Sequence, residues 1–146
     1  MIVGFGDYRE ELEALAGPDT LFTGALEHRH LVQLLPLADV SVVPSIFPEA
    51  FGMVAAEAAA AGSPPLVARH SGLREIAEGL EAEYPPEYRH LASFAKGDVD
   101  DLRAKLKELL ALPVDERARI AAAARHSAET RWSWSGVASR LLEPFN

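Results

Sequence analysis

Residues 40–62 read VSVVPSIFPEAFGMVAAEAAAAG, and this stretch decides the fold. Its first four residues are mostly β-branched, as in a buried strand, and the two prolines that follow end the strand. From Gly52 onward most residues are alanine, the strongest helix former, and Gly62 is a typical residue at a helix C-terminus. The stretch therefore predicts a strand, a loop and a helix, in that order.

The loop and the start of this helix form a candidate ligand site. In an open parallel α/β sheet, ligands bind beyond the carboxyl ends of the strands, where the next helix begins. Glu49 lies in the loop, and the free backbone N–H groups near Phe51 and Gly52 suit a phosphate or polyol oxygen. Glu57 lies about five residues into the helix, roughly 7–8 Å along its axis. The two carboxylates could hold hydroxyls at both ends of one ligand, while a solvated loop Glu and a surface helix Glu are the alternative.

The composition excludes several classes of function. A chain of 146 residues with 49% hydrophobic residues fits one globular domain. The net charge of −8 argues against a nucleic-acid partner or an anionic membrane surface. Without cysteine the chain has no disulfide, thiolate nucleophile or Cys-ligated metal. It also lacks a signal peptide and an apolar run of about 18 residues, so we expect a cytoplasmic protein without an integral membrane segment.

Two further strand–helix units precede the central stretch. The patterns predict a strand in MIVGFG, a helix over residues 8–16, a strand over 21–23 and a helix over 30–37. Gly4 and Gly6 resemble the start of the dinucleotide fingerprint GxGxxG, but Arg9 stands at the third glycine, which disfavours a Rossmann dinucleotide cofactor. Gly6 is instead a candidate for the border of the crevice. Residues 25–29 also follow a strand, and their backbone could border the same crevice as Glu49.

A third polar loop follows a strand predicted over residues 65–68. Arg69 could pair with an anionic ligand, and His70 could donate or accept a proton. A surface Arg and a helix-capping Ser71 are the alternative interpretation. A catalytic triad that uses His70 or Ser71 would lack a nucleophile elbow, so hydrolase chemistry is disfavoured. The helix after this loop is predicted to start near Leu73.

No metal site is predicted. His28 and His30 are too close in sequence to form the i,i+4 helical pair that binds zinc. The sequence Asp98-Val99-Asp100 matches the DxD signature of metal-dependent sugar transferases. It precedes an amphipathic helix, however, so N-capping by an aspartate is the favoured interpretation.

The last third of the chain predicts a short strand and three helices. The strand falls within residues 91–95, and the first helix begins near residue 99. This helix places four leucines on one face: Leu102, Leu106, Leu109 and Leu110. A second helix is predicted over residues 114–125. Residues 132–142, WSWSGVASRLL, predict an amphipathic helix whose aromatic start needs a partner surface.

Taken together, these segments resemble the donor-binding half of retaining GT-B glycosyltransferases, in particular glycosyltransferase family 4. The resemblance is carried by six segments: GFGDYREELEALA, FTGAL, LADVSVVPS, PEAFGMVAAEAAAAG, LREIA and WSW. The most specific part is the E-x7-E element from Glu49 to Glu57. The resemblance implies an α/β fold: a Rossmann-like parallel sheet with helices on both faces.

The resemblance also implies a role for individual residues. Glu49 would contact hydroxyls of the donor sugar as the catalytic residue, and Glu57 would hold the ribose hydroxyls. The residues expected at the sugar and diphosphate are Ala50, Phe51 and Gly52, those lining the nucleotide pocket are Met53 and Val54, and those beside the base are Ala25 and Leu26. The donor would be a nucleotide-diphosphate sugar, bound without a cofactor or metal.

The chain also departs from this family. The family's donor domain normally begins with one more strand–helix unit, which supplies an Arg and a Lys for the diphosphate, and neither is found here. The acceptor-binding half is also missing, and Ser71 stands where a second glycine is common. We therefore expect a single truncated nucleotide-sugar-binding domain over residues 1–146, including C-terminal helices from about residue 99. Its exposed truncated surface could drive self-association.

The predicted function is donor binding in a two-domain enzyme that transfers a sugar with retention, and the isolated chain is expected to be inactive. Two alternatives stay open. One is a GT-B phosphorylase or nucleotide-sugar epimerase, which would keep the fold. The other is a non-enzymatic α/β module that binds a nucleotide or phosphate.

Overall fold

The computed structural model describes residues 1–143. The chain forms two compact units, which we call the N-terminal unit, Met1–Leu34, and the C-terminal unit, Leu35–Asn146. The prediction of one truncated domain over residues 1–146 stays a prediction.

The N-terminal unit contains two strand–helix pairs, as predicted. Its elements are β1 (Ile2–Val3), α1 (Arg9–Leu15), β2 (Phe22–Gly24) and α2 (His28–Leu34). The strands pair in parallel, with Ile2 opposite Phe22. The predicted start of α2 at residue 30 is wrong by two residues, because His28 already has helical geometry. No side chain among residues 1–34, all of which the structure describes, is buried.

The C-terminal unit is built on three parallel strands in the order β3 (Ser41–Val43), β4 (Pro65–Ala68) and β5 (Ser93–Phe94). Its helices are α3 (Met53–Ala61), α4 (Ser71–Glu83), α5 (Val99–Ala111), α6 (Val114–Ser127) and α7 (Trp134–Leu142). Short 3-10 helices span Leu35–Leu37 and Pro86–Leu91, and a π-helical turn spans Ala128–Trp132. Parallel strands flanked by helices confirm the predicted α/β class and are consistent with a Rossmann-like GT-B domain.

The core of the C-terminal unit lies around β4 and the helices next to it. All four residues of β4 are buried, as expected of the central strand in a covered parallel sheet. α3 contributes small alanines, and α4 contributes a stripe of larger side chains, including Leu73, Ile76 and Leu80. The alanines allow α3 to pack against both β3 and β4. This packing fixes where α3 begins and therefore where the loop before it ends.

The helix boundaries confirm most of the local predictions. α3 ends at Gly62, whose φ of 82° is readily adopted only by glycine. Asp98 caps α5 by accepting a hydrogen bond from the Asp101 backbone N–H at 2.9 Å, which confirms capping as the role of the first DxD aspartate. The predicted leucine face of α5 is wrong at Leu110, which is 50% exposed because it lies at the edge of the stripe that packs on the core.

The predicted terminal helix over residues 132–142 is divided in two. Trp132 belongs to the π-helical turn and packs on the core, whereas Trp134 begins α7 and is 87% exposed. Ser133 separates them because its side chain caps α7 by accepting from the Gly136 backbone N–H. Of the two tryptophans at the start of the predicted helix, therefore, only Trp132 packs against the core.

No helix within residues 1–143 is long and apolar enough to cross a membrane. No group of three or more His, Cys, Asp or Glu side chains in that range is arranged to hold a metal ion.

Candidate functional site

The loop between β3 and α3, residues 44–52, is held by the first residues of α4. The backbone N–H of Glu49 donates to Ser71 Oγ at 3.0 Å, and the Glu49 carbonyl accepts from the Gly72 backbone N–H at 3.0 Å. Both backbone groups of Glu49 are therefore bonded to one neighbouring loop. We call this pair of hydrogen bonds the Glu49 clamp.

His70 connects the same two loops a few residues earlier. Its Nε2 lies 2.6 Å from the Ser45 carbonyl oxygen, and its Nδ1 lies 3.1 Å from Ser71 Oγ. A carbonyl oxygen can only accept, so Nε2 carries the proton in the neutral ring and Nδ1 accepts from the Ser71 hydroxyl. The imidazole is buried, with 9% of its surface exposed.

Two glycines allow this close approach. A Cβ added to Gly72 would lie 2.5 Å from backbone atoms of Ala50 and Phe51. Gly52 has φ of 105°, and a Cβ there would lie 2.5 Å from the Leu73 side chain. A larger residue at position 72 would push the Ala50–Phe51 backbone away, whereas one at position 52 would be strained by the positive φ and would displace the Leu73 side chain.

The start of α3 presents donors and apolar side chains beside Glu49. Gly52 is its N-cap residue, and no described side chain caps it, so the first backbone N–H groups of the helix remain available to an anionic or polyol oxygen. Met53 and Val54 are 59% and 50% exposed. Glu57 is half-buried and lies in the second turn, about 6 Å along the axis from Met53.

Arg69 is committed to carboxylates of its own unit. Its guanidinium forms an ion pair with Glu81, lies 3.8 Å from Glu78 and donates to Ser93 Oγ at 3.2 Å. A role for Arg69 at a ligand stays a prediction, and these pairs would compete with it. The alternative in which Ser71 caps a helix is wrong, because His70 occupies the N-cap position of α4 and the Ser71 hydroxyl accepts from Glu49.

The remaining predicted site residues lie in the N-terminal unit. Ala25 is exposed and Leu26 is half-buried in the segment after β2. Gly6 lies between β1 and α1, and a Cβ added there would meet no atom within 4 Å. Their predicted places beside the base and at the border of the crevice stay predictions.

Sequence reasoning missed two contacts of the candidate site. The first is the Ser45 carbonyl, which no side-chain pattern reveals as the partner of His70. The second is the edge-to-face contact between Phe51 and Trp132, whose ring centroids are 6.2 Å apart. A Cβ on Gly79 would lie 2.6 Å from the Trp132 side chain. A glycine inside a predicted helix could have indicated that another group packs closely at this position.

Comparison with known proteins identifies the family of this chain. Residues 1–127 match the model of the family described as glycosyl transferases group 1. The chain belongs to this family. The match includes β1 to β5, α3 and the Glu49 clamp, and it ends at the last residue of α6.

Several curated members of known glycosyltransferase classes are similar to this chain. A GDP-mannose-dependent monoacylated alpha-(1-6)-phosphatidylinositol monomannoside mannosyltransferase from Corynebacterium glutamicum is 33% identical over 153 residues, covering 97% of this chain and 37% of that protein. A glycogen synthase from Mycobacterium tuberculosis is 37% identical over 126 residues, covering 86% of this chain and 28% of the enzyme.

A third relative is a D-inositol 3-phosphate glycosyltransferase from Thermobispora bispora, 40% identical over 111 residues, which cover 74% of this chain and 23% of that protein. The chain therefore spans between about a quarter and somewhat over a third of the length of these relatives. The names of these relatives describe a mannosyltransferase, a glycogen synthase and a glycosyltransferase, and this chain is similar to part of each.

Proposed function

We propose that this chain is the donor-binding part of a retaining glycosyltransferase of family 4, which transfers a sugar from a nucleotide-diphosphate sugar to an acceptor. The observation that carries the proposal is the Glu49 clamp. It holds the backbone on both sides of one half-buried carboxylate, next to a helix start whose N–H groups have no side-chain cap. Binding of a nucleotide-diphosphate sugar requires a hydrogen-bond acceptor for the sugar hydroxyls and hydrogen-bond donors for the anionic phosphate oxygens.

Each part of the E-x7-E element has a separate role in this proposal. The Glu49 carboxylate accepts hydrogen bonds from hydroxyls of the donor sugar, and the backbone from Ala50 to Gly52 contacts the sugar and diphosphate. Glu57 accepts from the ribose hydroxyls. The exposed side chains of Met53 and Val54 cover the nucleoside, which buries apolar surface on binding.

Transfer itself needs more than donor binding. Retention requires stabilisation of the departing diphosphate and an acceptor positioned on the face of the sugar from which the diphosphate leaves, and electrostatic donors supply most of such catalysis. Arg69 is paired with Glu81 and Glu78, so the helix start of α3 is the main anion-binding element that we assign. We propose that a separate acceptor-binding domain of the same protein supplies the rest, and that residues 1–146 alone have little or no transferase activity.

The donor base and sugar are open, and the relatives suggest the first compound to test. GDP-mannose appears in the name of the corynebacterial relative, so GDP-mannose is the first candidate donor, followed by UDP and ADP sugars. A cytoplasmic location, independence of metal and self-association through exposed surface also remain proposals. Size-exclusion chromatography with light scattering would test the last of these.

Calorimetric titration with GDP-mannose, UDP-glucose and ADP-glucose tests the proposal. One of these donors should bind, and Glu57→Gln should weaken both that donor and its free nucleoside diphosphate at least tenfold, which is about 1.4 kcal/mol. Glu49→Gln should weaken the sugar nucleotide at least tenfold and the nucleoside diphosphate less than threefold, because only the former carries the sugar hydroxyls.

Glu108→Gln is the matched control. Glu108 is an exposed helix residue on α5, paired with His90, and the same substitution there should leave donor affinity unchanged. If no nucleotide sugar binds, the proposal is wrong. Equal affinity for the nucleoside diphosphate and its sugar, unaffected by Glu49→Gln, would instead favour a non-enzymatic nucleotide-binding module, and phosphate-dependent release of the sugar would favour a phosphorylase.

A further inference from the structure

We propose that Ser71 and His70 are positioning residues, which hold the Glu49 backbone where the donor sugar needs it. The inference rests on the proposed function and adds two residues to its site. The first observation is conformational: Ser71 has φ of 43°, and it is the one non-glycine residue with positive φ in the part of the chain that the structure describes. Glycine would adopt this conformation without the steric cost that a serine Cβ brings.

The hydrogen bond accepted by the serine hydroxyl offsets this steric cost. The hydroxyl oxygen accepts the Glu49 N–H at 3.0 Å, which no glycine at the same position could do. The extended backbone of His70 and the positive φ of Ser71 turn this hydroxyl toward the loop rather than toward the first turn of α4, where no side chain forms a cap. A strained residue that serves a neighbouring loop indicates a local function more than a contribution to its own helix.

The direction of each hydrogen bond in the network is determined by chemistry. The Glu49 N–H can only donate, so Ser71 Oγ accepts from it, and the Ser71 hydroxyl proton points to His70 Nδ1. His70 Nε2–H then donates to the Ser45 carbonyl at 2.6 Å. The network therefore connects two points of the loop, Ser45 and Glu49, through one buried ring.

The Glu49 carboxylate depends on this network because its main chain is held on both sides. Gly72 N–H bonds the Glu49 carbonyl, and Ser71 bonds the Glu49 amide. Without the hydroxyl the peptide plane before Glu49 can rotate, while the bond on the other side remains. A displacement of about 1 Å of a reacting group can cost on the order of a hundredfold in rate. We expect the smaller displacement of the Glu49 carboxylate after such a rotation to weaken donor binding measurably.

Paired substitutions of Ser71 separate positioning from simple stabilisation. Ser71→Gly removes the hydroxyl and relieves the positive φ, whereas Ser71→Ala removes the hydroxyl and keeps the strain. Both substitutions should increase the hydrogen-exchange rate of the Glu49 amide, measured by NMR, at least tenfold. The Ala55 amide, bonded to the Gly52 carbonyl within α3, is the internal control and should exchange at its wild-type rate.

Ser71→Gly should weaken donor binding without lowering the stability of the fold. Ser71→Gly should leave the midpoint of thermal unfolding unchanged or raise it, and at the same time weaken binding of the nucleotide sugar that binds wild type at least fivefold. A residue with only a structural role would show the reverse: a lowered midpoint and an unchanged affinity. Ser71→Ala should lower both quantities.

Substitutions of His70 provide a rescue test. An asparagine oxygen can occupy the place of Nδ1 and accept from the Ser71 hydroxyl, so His70→Asn should retain donor affinity within about threefold of wild type. His70→Ala leaves that hydroxyl without its acceptor and should weaken binding at least fivefold. Equal affinities for the two variants would contradict the role given to Nδ1.

The outcomes distinguish this inference from the proposed function. If Ser71→Gly leaves Glu49 exchange unchanged, or changes it without changing affinity, the positioning role is wrong while donor binding by the wild type stands. If the wild type binds no nucleotide sugar, the proposed function is wrong and the positioning role for a donor is overturned with it. Faster exchange of the Glu49 amide together with weaker binding in both Ser71 variants supports the inference.

Discussion

The N-terminal and C-terminal units repeat the same strand–helix plan and differ in burial. In Met1–Leu34, Ile2 and Val3 of β1 remain 40% and 41% exposed, and no residue is buried. In the C-terminal unit, all of β4 is buried between neighbouring strands and helices. A strand–helix pair therefore supplies the local geometry of a parallel sheet, but burial requires further layers of helices and strands.

The difference has a consequence for the candidate site. Glu49, Glu57 and the Glu49 clamp lie in the unit that has its own core, so their geometry can be held by packing. Both tryptophans of the chain are also in this unit, at positions 132 and 134, so their fluorescence reports on its unfolding. Four sets of substitutions, in order of decreasing expected effect, test this difference between the units.

The largest effect is expected in the core of the C-terminal unit. Leu80→Ala should lower the free energy of unfolding by about 3 kcal/mol, because a fully buried leucine leaves a cavity in a packed core. Leu15→Ala is the matched control in the N-terminal unit; this side chain is 84% exposed, so a change within about 0.5 kcal/mol is expected. Urea unfolding followed by circular dichroism, which reports on the helices of both units, measures both changes, and equal losses would contradict the comparison.

The second effect concerns the contact between the two loops of the site. Gly72→Ala should cost about 2 kcal/mol of stability, since the new Cβ meets the backbone of Ala50 and Phe51 and must displace it. Gly17→Ala provides the control, because a Cβ there meets nothing within 4 Å. The Glu49 and Gly72 amide shifts in an NMR spectrum should move in the first variant only; unchanged shifts would mean that the loops are not in contact.

A smaller effect is expected for the aromatic contact behind the loop. A double-mutant cycle with Phe51→Leu and Trp132→Leu should give a coupling energy of about 1 kcal/mol, as for other edge-to-face pairs. Unfolding is followed here by circular dichroism, since one tryptophan is removed. A coupling energy near zero would show that the contact of Trp132 with Phe51 does not stabilise the loop between β3 and α3.

The smallest effect is expected at Tyr84, whose hydroxyl is buried and has no hydrogen-bond partner within residues 1–143. Tyr84→Phe should leave stability unchanged or raise it by up to about 1 kcal/mol, because an unsatisfied polar group is removed. A loss of more than 1 kcal/mol would indicate a hydrogen bond to this hydroxyl.

The same substitution has a pH dependence. Burial raises the pKa of Tyr84 in the folded protein. The unfolded phenol therefore loses its proton first, so the folded state binds more protons and stability falls as pH rises through about 10, the ordinary value for tyrosine. Tyr84→Phe should lose less stability than wild type between pH 9 and pH 11, and parallel curves would contradict the assignment.

Most of the elements could be predicted from sequence because their signals are local. The alanine-rich run between Gly52 and Gly62 forms α3 as expected, and Asp98 caps α5 through a bond to a residue three positions away. The errors fall where a helix boundary depends on packing, as at Ser133 between the π-helical turn and α7. Local propensity does not indicate whether Trp132 or Trp134 packs against the core.

The site was predictable in part. Glu49, Glu57 and the start of α3 follow from the order of strand, loop and helix, which places them at the carboxyl end of a strand. The bond of His70 to the Ser45 carbonyl joins residues 25 positions apart, and its acceptor is a backbone atom that every residue possesses. The ion pair of Arg69 with Glu81 joins residues 12 positions apart, and no local pattern predicts it.

By itself, the sequence determined the α/β class, the α3 helix and the pair of carboxylates eight positions apart, because periodicity, glycine and alanine act over a few residues. Only the tertiary structure decided how the Glu49 loop is held, which tryptophan packs on Phe51 and which unit has a buried core. Those outcomes depend on backbone groups and packed layers brought together across long sequence separations, and no local pattern encodes such contacts.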